Sequence, residues 1–245
     1  MTAGKRVRLD KLLVDLGHFE SRERAQRSIL AGQVLVNEQV SDKPGQLVLP
    51  EAPIRVIARE RYVSRGGRKL EAALEYFGID PTDWRCLDIG ASTGGFTDCL
   101  LQHGAAAVVA VDVGRYQIDW KLRSDPRVTT IEGVNARFLT AEHAGADFDL
   151  AVADLSFISL TLVLDNVLKL VRRDGEAIVL IKPQFELEPQ RVGKGGIVRQ
   201  EADRLAAIEK IRSFVVERLG REWRGVIPSP ILGAKGNREY LACLR

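Results

Sequence analysis

Asp154, near the end of FDLAVADLSF, and Lys182, near the end of GEAIVLIKPQF, are side chains of the right type to manage a proton beside a ligand. A carboxylate and an amine converging in one cleft can orient a poor nucleophile and relieve it of its proton. If each closes a strand, both point into the crevice at one sheet edge. A surface lysine at a strand end would read the same way. Proline at 183 and the apolar run before Lys182 favour a fixed inward site, which is costly unless the amine is paired.

A second constellation lies upstream, where RCLDIG runs into ASTGGFTDCLL and sets D-x-G-x-S-x-G over Asp88 to Gly94. Small residues at a strand-to-helix turn let the backbone approach a ligand closely. A dinucleotide fingerprint wants glycine at 90, 92 and 95, but position 92 is serine. S-adenosylmethionine suits the pattern better. Asp88 and the turn residues Gly90, Ser92, Thr93, Gly94, Gly95 and Phe96 are expected at its methionine end. Asp112, closing VVAVD, is expected at the ribose hydroxyls, Asn135 in EGVNAR near the adenine, and Asp154 beside the donor. A tight strand-to-helix connection without any ligand is the plain alternative.

The acceptor is narrowed by what is missing. Enzymes acting on exocyclic base nitrogens carry Pro-Pro after the acidic or amide residue of this fourth-strand motif, and ADLSF has none. Carbon-5 methylation of pyrimidines needs a cysteine nucleophile, yet Cys86, Cys99 and Cys243 do not sit at a strand end beside a proline.

The elements that must position these residues alternate from Lys69 onward. RKLEAALEYFG reads as a helix with Leu70, Ala73, Leu74 and Phe77 on one face. Strands are expected at RCLDIGA, VVAVDVG, FDLAVADLSF, GEAIVLIKPQF and EYLACLR, separated by helical stretches such as GFTDCLLQHG and EADRLAAIEKIRSFVVERLG. This is an α/β fold with a doubly wound, mostly parallel sheet.

Upstream the pattern is different. Leu9, Leu12, Leu13 and Leu16 follow a helical stripe ended by Gly17, and Ser21 caps a second helix bearing Ala25 and Ile29. VLVN, a turn at Asn37 and Glu38, QLVL and IRVIA complete a small α+β domain. The expected division is residues 1–59, a connector at 60–64, and a second domain over 65–245. Arg8, Lys11, Arg22, Arg24 and Arg27 lie on or beside the polar faces of the first two helices, where they could track phosphates. Interleaved Asp10, Asp15, Glu20 and Glu23 fit a solvated face equally. In SRGGRKL, Arg65 and Arg68 are further phosphate candidates, with Gly66 and Gly67 as a hinge; the loop RVGKGGIVR adds Lys194 and Arg199.

The net charge of +3 is too small to prove a nucleic-acid partner by itself. No apolar run approaches the ~20 residues that span a bilayer, no signal peptide is read, and the cysteine usage fits a reduced, cytoplasmic protein. Neither the cysteines nor His18, His103 and His143 have metal-ligand spacing, so no metal is expected.

Taken together, the motifs resemble the hemolysin-A-like family of ribosomal RNA ribose methyltransferases, related to the FtsJ type. The carriers are YVSRGGRKLEAAL, LDIGASTGGFTDCLL, VAVDVG, ADLSF, IKPQFE, VGKGGIVR and GAKGNREYL. RLDKLLVDLGHFESRERAQRSILAGQVLVNEQV resembles the small RNA-binding domain named after ribosomal small-subunit protein four. The resemblance implies a Rossmann-like S-adenosylmethionine-dependent methyltransferase. It further implies 2′-O-methylation of ribose, with cytidine preferred, on ribosomal RNA in a subunit or assembly intermediate. It maps a Lys-Asp-Lys-Glu tetrad onto Lys69, Asp154, Lys182 and Glu239, and family members can carry tryptophan where this chain has Tyr62. The competing reading is an RNA-binding assembly factor with a vestigial donor pocket.

Overall fold

A computed structural model describes residues 6–57 and 61–245. The chain forms two compact units that divide between Glu60 and Arg61. The expected end of the first domain, at residue 59, and the start of the connector, at residue 60, lie outside the described residues.

The first unit pairs β1 (Val7–Arg8) with α1 (Leu9–Asp15) and α2 (Arg22–Leu30), followed by β2 (Val34–Val36), β3 (Gln39–Val40), β4 (Leu47–Val48) and β5 (Ile54–Val56). Leu9, Leu12 and Leu13 meet Ala25 and Ile29 over Val34, Val36 and Val48, so the helical stripe becomes the core. Leu16 departs from that stripe: it lies past the end of α1 and is 51% exposed. Ser21 Oγ accepts the Arg24 backbone N–H and starts α2. Asn37 and Glu38 both take positive φ, turning β2 back onto β3.

In the second unit α3 (Gly66–Phe77) leads into β6 (Arg85–Ile89), α4 (Gly95–Gln102), β7 (Ala107–Asp112), α5 (Trp120–Arg123) and β8 (Val128–Glu132). The chain continues through α6 (Ala141–Ala144), β9 (Phe148–Ala153), α7 (Leu164–Leu170), β10 (Val171–Ile181), α8 (Pro183–Glu186), α9 (Glu201–Ser213), β11 (Trp223–Pro228) and β12 (Tyr240–Leu244). The sheet order is β11-β12-β10-β9-β6-β7-β8, with β12 antiparallel to both neighbours. Counted within this unit the order is 3-2-1-4-5-7-6. It departs from the dinucleotide-binding order 3-2-1-4-5-6 by inserting an antiparallel last strand.

Successive strand residues face opposite layers, as the pleat requires. Leu87 and Ile89 join one core with Val109, Phe148 and Val167, whereas Cys86 joins the other with Leu70, Leu74 and Leu100. Burying each such leucine contributes about 1.5–3 kcal/mol. β11 was absent from the expected strands because Gly225 and Pro228 weaken its pattern; pairing with β12 supplies what propensity does not.

Residues 61–64, expected as connector, pack into this unit instead. Tyr62 is buried, and the Val63 N–H donates to Asp98 Oδ2 at 2.7 Å. Gly66 and Gly67 are helical, not a hinge: a Cβ on Gly67 would collide with the Tyr62 ring.

Candidate active site

The strand order reverses at β6 and β9, the switch point where open α/β sheets bind ligands. Gly90, immediately after β6, is what lets the two strand ends meet there. Its φ is +79°, and a Cβ would lie 2.6 Å from the Asp154 carbonyl oxygen and 3.0 Å from the Leu155 side chain. Asp112, at the end of β7, braces the same turn: Oδ2 accepts the Ser92 N–H and Oδ1 the Gly114 N–H, both at 2.7 Å.

Four ionisable residues from four elements converge beside it. Lys69 comes from the first turns of α3, Asp154 follows β9, Lys182 follows β10, and Glu239 precedes β12. Lys69 Nζ donates to Glu239 Oε2 at 2.6 Å and lies 3.7 Å from Asp154 Oδ2. Lys182 Nζ lies 2.6 Å from Asp154 Oδ1 and donates to Ser156 Oγ at 2.8 Å. The Asp154 contact is close but off the line of a hydrogen bond, for Oδ1 is buried and has no hydrogen-bond partner. The side chains of Lys69, Lys182 and Glu239 are only 11%, 10% and 3% exposed. Two cations facing two anions make that burial tolerable.

Two cavities open from this point. One, of about 440 Å³, reaches past Val111, Asp112, Val134 and Asn135. The other, of about 420 Å³, contains Lys69, Lys182 and Glu239, with Ser64 and Arg65 at its wall. Gly90, Ser92, Asp154, Ser156 and Phe157 line both, so they form the passage between them. Phe157 holds a positive φ of +64°, is 89% exposed, and stacks obliquely on Phe185 with ring centroids 5.2 Å apart. A bulky residue in that conformation is unusual and belongs to sites where a side chain must be presented. Neither Ser156 nor Phe157 stood out individually in the sequence; their place in ADLSF, just past Asp154 and Leu155, was the available signal.

The expected cofactor residues separate into two groups. Gly90, Ser92, Thr93, Gly95, Phe96, Asp112, Asn135 and Asp154 line one or both cavities, whereas Gly94 and Asp88 line neither. Asp88, expected at the methionine end, is placed behind the cavity walls. It lies beneath the turn, fully buried, with Oδ2 accepting the Thr97 hydroxyl at 2.6 Å, and so ties β6 to α4. Burial pushes its carboxyl up to about 7, a rise the Thr97 hydrogen bond only partly opposes. The folded chain therefore keeps a proton that the unfolded chain gives up. Its contribution to stability is full below about pH 4 and is lost as pH rises through about 7. Asp88→Asn should flatten that decline, measured as urea midpoints across the interval; parallel pH profiles for the two proteins would exclude it.

The expected RNA contacts also differ in kind. Asp10 is buried and accepts from Arg8 Nε and Nη2 at 3.1 and 2.9 Å, from Arg22 Nη2 at 3.0 Å and from Gln26 Nε2 at 2.7 Å. The Arg8 hydrogen bond chiefly holds its carboxyl well below the usual range. Arg8 and Arg22 are thus half-exposed forks fixed by one carboxylate, while Arg24 pairs with Glu20. Lys11 and Arg27 are exposed on the same helices. Arg65 lines the tetrad cavity, whereas Arg68, Lys194 and Arg199 line neither cavity. The loop carrying Lys194 is nonetheless built: the Asn237 side chain donates to the Gly196 carbonyl and accepts from the Val198 N–H.

Burial pushes the thiols of Cys86, Cys99 and Cys243 up to about 12, which removes them as nucleophiles. No cluster of His, Cys, Asp or Glu among the described residues could hold a metal ion. No helix among them is long and apolar enough to cross a membrane.

Comparison with known proteins gives this geometry a family. The FtsJ-like methyltransferase family matches residues 62–245, three quarters of the chain, and the S4 domain matches residues 7–54. The chain belongs to the FtsJ-like methyltransferase family. Within it, the 16S/23S rRNA (cytidine-2′-O)-methyltransferase TlyA of Mycobacterium tuberculosis is 44% identical over 98% of this chain and 90% of its own length. Hemolysin A of Brachyspira hyodysenteriae is 44% identical over 96% and 98%. A solved structure of a candidate hemolysin from Streptococcus thermophilus superposes with a TM-score of 0.74 at 41% identity, covering 99% of this chain and 89% of that one. The Rossmann-like fold with an S4 domain at its N-terminus, expected from the motifs, is the fold of this FtsJ-like methyltransferase.

Proposed function

We propose that the second unit transfers a methyl group from S-adenosylmethionine to the ribose 2′-oxygen of a cytidine in ribosomal RNA, and that the first unit, an S4 domain, holds the RNA. The observation that carries this reading is the passage between the two cavities: Lys69, Lys182 and Glu239 stand on one side, Asp112 on the other, and Asp154 in the passage itself. Such a site belongs with ribosomes and free RNA, so the protein is assigned to the cytoplasm.

The chain's residues fit the donor. Asp154, already paired with Lys182, puts a carboxylate at the meeting of the cavities, where it adds negative potential for a positively charged donor. Val111 and Val134 offer apolar walls to an adenine ring. Asp112 can accept ribose hydroxyls while keeping its two backbone N–H groups, because a carboxylate has about four acceptor positions. When bound, S-adenosylmethionine supplies an electrophilic methyl group on a positively charged sulfur.

The acceptor hydroxyl is a weak nucleophile, and the cluster's task is to align it and take its proton. Lys182 Nζ, as a neutral amine, would receive the proton that the 2′-oxygen loses as the new carbon–oxygen bond forms and the methyl–sulfur bond breaks, leaving a neutral thioether. Lys69, fixed by Glu239, presents positive charge to the developing alkoxide. Exposed Phe157 offers a face on which a nucleobase can stack, worth about 1–3 kcal/mol.

Titration with S-adenosylmethionine tests the donor half of the proposal. The wild-type chain should bind it, and Asp112→Ala should weaken binding by about 1.5–3 kcal/mol. No binding by the wild-type chain would favour the vestigial reading. Mass mapping of ribose methylation on ribosomal RNA from cells with and without the gene tests the acceptor half, and an unchanged map would overturn it.

A further inference from the structure

Lys182 is held by two neighbours that act differently. Asp154 Oδ1 is nearer, at 2.6 Å, but lies off the hydrogen-bonding line, so it attracts the ammonium without fixing its rotation. Ser156 Oγ, at 2.8 Å, is the aligned acceptor. A lysine that serves as base must first be a neutral amine, with two N–H bonds and one lone pair distributed over three staggered positions about Cε–Nζ. Only one of those positions aims the lone pair at a given hydroxyl. We propose that Ser156 is the positioning residue that narrows this choice. By taking one N–H, it reduces the orientations from which Lys182 can accept the 2′-hydroxyl proton.

The serine is exposed, but its position in the chain favours that role. It lies between Asp154 and the positive-φ Phe157, and it lines both cavities. The segment it belongs to is anchored from beneath by Glu186. Oε1 of that residue accepts the Leu160 N–H at 2.8 Å, and Oε2 accepts the Ser159 hydroxyl at 2.5 Å. Lys210 Nζ of α9 in turn donates to the Glu186 carbonyl oxygen at 2.6 Å. Ser156 is therefore an exposed acceptor held by its contact with Lys182, in a segment anchored further along at Ser159 and Leu160. Its role concerns the orientation of the amine alone: the proton still passes from the 2′-oxygen to Lys182 Nζ, and the methyl group to the oxygen.

This inference rests on Lys182 being the base, and steady-state kinetics separates the two claims. Ser156→Ala should lower kcat about tenfold, the loss expected for one hydrogen bond to a working group, with KM for RNA and for S-adenosylmethionine within about twofold of wild type. Ser156→Thr retains the hydroxyl and should recover most of the rate. An unchanged kcat in Ser156→Ala overturns the proposal, as does an equal loss in Ser156→Thr or a change confined to KM. If Lys182→Ala keeps full activity, the base assignment fails first. If Lys182→Ala is inactive while Ser156→Ala is normal, only the role of Ser156 falls.

Discussion

Lys182→Ala should lose about a thousandfold in methyl transfer, within the range that removal of a positioned base commonly costs. S-adenosylmethionine binding should persist, because the donor cavity at Asp112 does not include Lys182. Substitution by arginine should not restore activity. A guanidinium stays protonated at any working pH and cannot accept the proton. A single-turnover assay with labelled methyl donor and excess enzyme isolates the chemical step from RNA release. Undiminished transfer by Lys182→Ala would remove the amine from the reaction.

The second large effect is on folding as well as catalysis. Glu239→Ala should destabilise the second unit by about 3–5 kcal/mol, the cost of stranding a buried charge when its partner is removed. Lys69 is the charge stranded: its side chain is 11% exposed, and its hydrogen bond at 2.6 Å goes to Glu239, while Asp154 lies farther away at 3.7 Å. The double substitution Lys69→Met with Glu239→Leu replaces the pair by apolar groups of similar length. It should recover most of the stability and none of the activity. Urea unfolding of the three proteins tests this prediction. A double variant as unstable as Glu239→Ala would mean that packing around Gly233, rather than charge, sets the cost.

Much of this site was legible because the chemistry follows strand ends. Asp112, Asp154 and Lys182 each terminate an apolar run, and parallel strands necessarily bring such ends to one edge. Lys69 and Glu239 became legible only through family resemblance, since a lysine in a helix and a glutamate in GNREYL have no periodic signal of their own. Asp88 shows the opposite case. Its motif position suggested a ligand contact, but the residue alternation of β6 turns its side chain into the α4 layer, where Thr97 receives it.

The hinge expected at SRGGRKL likewise depended on a contact that sequence does not contain. Two adjacent glycines fit a hinge as readily as a close approach, and only the Tyr62 ring against Gly67 distinguishes the two. Periodicity and turn chemistry are local, so the two-unit plan, the doubly wound sheet, the glycine-rich turn and the residue types available for proton transfer could all be read from the chain. Only the packing of distant segments brings β12 antiparallel between β10 and β11, Lys69 to Glu239 across 170 residues, and Lys182 to the Ser156 hydroxyl. Those outcomes are set by how distant segments pack, and a separation of that length leaves no trace in local pattern.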